Sequence, residues 1–194
     1  MNKKTIAAAL STTILGLGLS TAASAAVSHG NLTFTFSGNI PALPVAGTGW
    51  SFLNADGTAY TAPSSITLNA TDTADGVRLI SSSEEFYLKP NAGAGNFTAS
   101  SKITALLVSQ PTISGTAVDP SKLSTVTTTV TLNGVVVPLG STAADVITIS
   151  TANSNAQRVT LGAQVDIPTA SRSQSGGDLR LTAAIRMAAD ITAP

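Results

Sequence analysis

The chain has no cysteine and a single histidine, and only 10% of its residues are charged and 4% aromatic. Each scarcity excludes something. Without cysteine there is no disulfide framework and no thiolate metal cage, so packing alone must hold any fold. The one histidine, His29, has no companion at ligand spacing and no third group to orient it as a base, so it supports neither a metal site nor a Ser–His–Asp arrangement. Ten basic residues balance ten acidic ones. No basic patch invites nucleic acid or anionic lipid, and no nucleic-acid partner is expected.

Long apolar runs are also missing after the first 25 residues. Met1–Ala25 itself reads as a secretory signal. Lys3 and Lys4 precede the apolar stretch Ile6–Leu19, and Ala23-Ser24-Ala25 supplies small residues for cleavage. Removing Lys3 and Lys4 with this leader leaves eight basic against ten acidic residues, a net charge near −2 over the remaining 169 residues. That length suits one domain with a sizeable core.

What the chain has in quantity is Thr, Ser, Val, Ala and Gly, interrupted by turn residues. No segment after the leader carries a convincing 3.6-residue apolar period, so strands are expected throughout. The candidates are Trp50–Leu53, Ser65–Thr71, Gly76–Ile80, Glu85–Leu88 and Lys102–Val108. Further along come Leu123–Leu132, Val135–Leu139, Val146–Ile149, Arg158–Ile167 and Asp178–Ile191. Asn133-Gly134 is the sharpest hairpin signal, since both residues tolerate the positive φ of a tight turn. Asp56-Gly57, Asp75-Gly76 and Gly176-Gly177 mark further turns. Short strands at regular spacing predict an all-β sandwich.

Two stretches alternate most clearly. Asn31–Ile40 places Leu32, Phe34, Phe36 and Ile40 on one parity, with Gly38 between them, and Thr33, Thr35, Ser37 and Asn39 on the other. Lying close behind the cleavage site, this strand can serve a neighbour as readily as its own domain. Asp178–Ile191 places Leu179, Leu181, Ala183, Ile185, Met187, Ala189 and Ile191 on one face. One buried sheet face accounts for that pattern, and it also suits the wall of a groove that receives a strand.

Phe52-Leu-Asn-Ala-Asp-Gly-Thr-Ala with Pro63-Ser64-Ser65, and Asn31-Leu-Thr-Phe-Thr followed by Pro41, resemble segments of the major pilins of enteric colonisation-factor fimbriae, the alternate (alpha) class of chaperone–usher fibres. Gly76-Val-Arg-Leu-Ile, Leu123–Gly134 and Gly176-Gly177 with the strand after them fall in similar order, and the missing cysteines fit as well. The resemblance implies an incomplete immunoglobulin-like β-sandwich completed by donor-strand exchange. Residues 26–40 would then be the donor strand and 41–194 the pilin domain. Leu32, Phe34, Phe36, Gly38 and Ile40 would be the inserted positions, with Pro41 as a hinge beyond them. Implied partners are identical subunits, a periplasmic chaperone, an outer-membrane usher, a tip adhesin and a host-cell receptor. The implied location is the cell surface, reached through the periplasm. The alternatives are a tip or minor adhesin binding host glycans and an unrelated secreted immunoglobulin-like module.

No enzyme, cofactor or metal is expected. Asp72 and Asp75 lack the rest of a calcium-loop ligand series, and the adjacent Glu84 and Glu85 on a strand must face opposite ways. Trp50, Tyr60, Phe86 and Tyr87 could line a receptor site, though Trp50 and Phe86 suit a core better.

Overall fold

The computed structural model describes residues 46–192. Among these, every extended element but one single-residue bridge pairs antiparallel, and the only helices are two short 3₁₀ segments, Pro120–Thr125 and Thr169–Ser171. No described helix is long and apolar enough to cross a membrane.

The organising strand is β11, Gln157–Pro168, at twelve residues the longest. Its alternating Val159, Val165 and Ile167 are buried. One side pairs with β8, Thr127–Leu132. The other pairs first with β4, Glu84–Pro90, and then with β3, Gly76–Ser81. Between those pairings Gly162 and Ala163 face three residues, Ser81–Ser83, so the β3–β4 strand bulges. Ser81 fills the gap by accepting the Ala163 N–H on its Oγ at 2.8 Å. The strands β1 (Trp50–Leu53) and β2 (Leu68–Thr73) extend this sheet by pairing with β4 and β3. The pair β9, Val135–Val136, extends it beyond β8.

Three smaller sheets come from one pair of chain segments. Residues 96–115 hold β5 (Asn96–Phe97), β6 (Lys102–Leu107) and β7 (Thr112–Gly115). Opposite them, residues 179–192 hold β12 (Leu179–Thr182), β13 (Ile185–Ala188) and β14 (Ile191–Thr192). These pair as β7 with β12, β6 with β13 and β5 with β14, and β10 (Ala144–Thr148) lies on the other side of β6.

The two groups of strands bury their apolar faces against each other. Trp50, Phe86, Leu88, Leu132 and Val159 from the large sheet meet Ile103, Ala105, Leu107 and Val146 from the small ones. Trp50, Phe52 and Phe86 interlock edge to face, with ring centroids 5.0 and 5.6 Å apart, a geometry that adds to plain area burial. A second cluster, Val118, Val165 and Ile167, lies toward the other end of β11.

The Asn133-Gly134 turn forms as the sequence predicts, with φ of 50° and 79°. Asn133 also continues the ladder beyond β8. Its N–H donates to the Thr160 carbonyl at 2.8 Å, and its Oδ1 accepts the Thr160 N–H at 2.8 Å.

Three expectations are corrected. The expected strand Leu123–Leu132 is a 3₁₀ segment up to Thr125, because Asp119 caps it through the Ser121 N–H at 2.9 Å and Pro120 pre-sets the first turn. The expected strand Val135–Leu139 stops at Val136. Asp178–Ile191 is not one strand. Only Ala183 and Ala184 stand opposite the four residues 108–111, so the strand breaks there and Ala183 turns out exposed; it breaks again where Ala189 and Asp190 stand opposite the six residues 98–103.

Candidate strand-acceptor edge

Leu179, Leu181, Ile185, Met187, Ala189 and Ile191 form a row of apolar side chains facing the interior. The first two pack on the smaller core cluster and the other four on the larger one. None of the six is fully buried. The strands beside them behave differently, since Ile103, Ala105 and Leu107 of β6 are buried, as are Trp50 of β1 and Val146 of β10. The row is therefore the half-open side of the core.

The backbone explains why. Successive residues of a strand aim their N–H and C=O groups to alternate sides, in step with their side-chain faces. The carbonyls of Asp178, Ala184 and Asp190 accept bonds from Thr116, Val108 and Thr98, all on the neighbouring segment 96–116. Even-numbered residues thus spend their peptide groups inward on that neighbour. The odd-numbered ones, the same residues that carry the apolar row, aim theirs at the opposite edge. Among the described residues no strand pairs with that edge.

At one end the edge is sheltered. A Cβ built on Gly49 would lie 3.6 Å from Ile191 Cγ2, so the chain before β1 comes up against Ile191. The outer face opposite the row is polar and charged, with Arg180, Thr182, Arg186 and Asp190 exposed. Neither arginine has an ion-pair partner among the described residues.

The donor positions Leu32, Phe34, Phe36, Gly38 and Ile40, the hinge Pro41 and His29 all lie outside the described residues. The other candidates have local partners. Asp72 pairs with Arg172 at 3.0 Å, and Glu85 accepts from Arg158 at 3.3 Å. Glu84, on the opposite face, accepts the Tyr60 hydroxyl at 3.1 Å. Partial burial and that carboxylate push the Tyr60 hydroxyl far above its ordinary value. Trp50 and Phe86 are buried, Tyr60 lies tilted against Phe86 with ring centroids 5.3 Å apart, and Tyr87 is half-buried on β4. Among the described residues no three His, Asp or Glu side chains gather as a metal site would require. Two surface depressions, one around residues 91–93 and one around Asp119 and Arg172, are open to solvent.

Sequence reasoning identified the apolar row but not its breaks at Ala183–Ala184 and Ala189–Asp190, nor β5 and β7. It also passed over the second role of Asn133, whose side chain stands in for a ladder residue. The one available signal was an Asn where Asp or Gly would serve the turn equally. No protein-family model matches the chain, and no curated protein matches it.

Proposed function

We propose that the protein is the repeating structural subunit of a bacterial surface fibre of the chaperone–usher kind. In this reading the domain is an immunoglobulin-like sandwich lacking one edge strand. Residues 31–40 of each subunit fill the open edge along Leu179–Thr192 of the next. The supporting observation is the coincidence of two features in one place, a half-buried apolar row and a row of peptide groups with no strand partner among the described residues.

Strand addition answers both features together. Main-chain bonds supply affinity, and alternate side chains entering the core fix register. Burying Leu32, Phe34, Phe36 and Ile40 at about 1.5–3 kcal/mol each gives roughly 6–12 kcal/mol before ordering costs. An unfilled edge of this kind is an aggregation hazard, so a periplasmic chaperone would cover it until an outer-membrane usher exchanges the strands. Fibre display would then support adhesion and colonisation, with a separate tip adhesin making the specific contact.

The test is a pair of chains. One lacks residues 26–40. The other lacks them too but carries a second copy of residues 31–41 after Pro194, through a flexible linker. Short linkers give effective concentrations in the millimolar range, so the fused strand should fill its own edge. The fused chain should be monomeric and melt at a clearly higher temperature, because the added strand binds only the native state. A truncated chain that is already stable and monomeric without the fusion would remove the mechanism.

A further inference from the structure

Breaks at Ala183–Ala184 and at Ala189–Asp190 divide the acceptor edge into β12, β13 and β14, and the first of them restricts how an incoming strand can lie. Resting on the strand-insertion reading above, we propose that residues 31–40 of a neighbouring copy enter antiparallel to Leu179–Thr192 with Gly38 opposite Ala183. Ile40 then falls opposite Leu181, Phe36 opposite Ile185, Phe34 opposite Met187 and Leu32 opposite Ala189.

Three observations select this register. First, parity restricts the choices. The acceptor's outward-aimed peptide groups belong to odd residues, and the donor's apolar side chains are even, so only registers that pair even with odd bury the donor's apolar side. Second, Ala183 between β12 and β13 is exposed, whereas Ala189 at the second break is half-buried on the main core cluster, so it is the Ala183 position that offers no apolar floor. A two-residue slip one way puts Phe36 over that gap, and a slip the other way puts Ile40 there. Only the proposed register puts the residue without a side chain there. Third, Ile191 is left uncovered by the donor, and it is the row residue that the Gly49 backbone already approaches.

A parallel strand with Gly38 at the same place fits worse. Leu32 would fall opposite Gly177, which is packed so closely on Thr116 that a Cβ there would lie 2.2 Å from Thr116 Oγ1. Met187 and Ala189 would stay open. The antiparallel arrangement also sets the flexible thioether of Met187 against the Phe34 ring, a pairing that adapts to bulk.

The chain's lack of cysteine makes the register directly readable. Outward-facing Thr35 and Arg186 would form a non-hydrogen-bonded pair with Cα atoms about 4.5 Å apart, within disulfide range. A two-residue slip separates them to roughly 7–8 Å, beyond it. The experiment expresses full chains with the complete export machinery, carrying Thr35→Cys with Arg186→Cys, Ala184→Cys or Ala188→Cys. A second pair in the same register, Thr33→Cys with Ala188→Cys, guards against one variant that fails to assemble. Oxidised fibres of the Thr35/Arg186 and Thr33/Ala188 pairs should run as reducible ladders of covalent multimers, several-fold stronger than the Thr35/Ala184 and Thr35/Ala188 pairs. Single-cysteine chains should give no more than dimers. A ladder strongest for Thr35/Ala184 or Thr35/Ala188 overturns the register while leaving strand insertion standing. Cross-linked monomers without ladders, or no cross-link in any pair, overturn the insertion reading itself.

Discussion

Met187 offers a sharp quantitative test, because its surroundings should change when the edge fills. In the open domain it is half-buried and packs on the main core cluster. Under an inserted strand it would be covered on its free side as well. Truncating a fully buried methionine to alanine costs about 2–5 kcal/mol, and a half-covered one about half as much. Met187→Ala should therefore lower the stability of the truncated, unfilled chain by about 1–2.5 kcal/mol, and that of the fused, filled chain by about 2–5 kcal/mol. The difference, about 1–2.5 kcal/mol, is the share of strand affinity carried by this one contact, roughly a five- to seventy-fold loss in binding. Urea unfolding of the four proteins supplies the numbers, with unchanged m-values certifying comparable folds. Arg186→Ala, next door on the outer face, should show no such difference. If Met187→Ala costs the same in filled and unfilled chains, nothing covers Met187 on insertion, and the reasoning from the half-open row fails.

Asn133→Ala should destabilise by about 2–3 kcal/mol, combining the positive φ with the lost bond to the Thr160 N–H, while Asn133→Gly should cost only about 1 kcal/mol; equal losses in urea melts would discount the backbone part. Asp166 is held below its ordinary value, first by the Arg78 guanidinium at 2.6 Å and then by Gln164. A depressed carboxylate contributes stability above its unfolded pKa near 3.9 and loses it as pH falls through the lower folded value. Both side chains are substantially exposed, so the effect is under about 1 kcal/mol, and Arg78→Ala should lower the melting temperature slightly near pH 7, with the difference from the parent chain shrinking as pH falls below about 4. Pro41→Ala should leave fibre yield intact but change filament stiffness or helical symmetry, as seen by force measurement and electron microscopy, since proline removes an N–H and restricts the residue before it.

Much of the strand pattern was legible where a segment's own alternation decides its fate. Trp50–Leu53 forms as expected, and Arg158–Ile167 is extended by only one residue at each end. Sequence failed where the decision lies elsewhere in the chain. Nothing within Asp178–Ile191 encodes its two interruptions, which arise from surplus residues across the ladder, two within residues 108–111 and four within residues 98–103. Asn96–Phe97 is too short to show any period, yet Phe97 is fully buried. In Leu123–Leu132 the alternation continued smoothly past a capping signal, Asp119-Pro120-Ser121, that overrode it locally. The candidate site divides the same way. Its apolar row is written in residues 179–191, whereas the absence of a partner strand among the described residues is a property of pairing that no single segment carries.

The large sheet has an open edge too, and the contrast shows why one edge should accept a strand and the other should not. Among the described residues β2 pairs only with β3, so its outer peptide groups are as free as those of β12 to β14. Five of its six residues are exposed, however, and they read Asn-Ala-Thr-Asp-Thr, with Asp72 tied to Arg172. A strand added there would gain main-chain bonds in exchange for bonds to water, a net of only about 0.5–1.5 kcal/mol each, set against ordering costs of about 1–2 kcal/mol for every residue fixed. Along Leu179–Thr192 the same bonds come with a core face to close. Because parity ties the outward-aimed peptide groups to the inward-facing side chains, an occupant cannot make the bonds in register without also placing its own alternate side chains over the core. The apolar row, more than the free backbone, is what separates an acceptor edge from an ordinary exposed one.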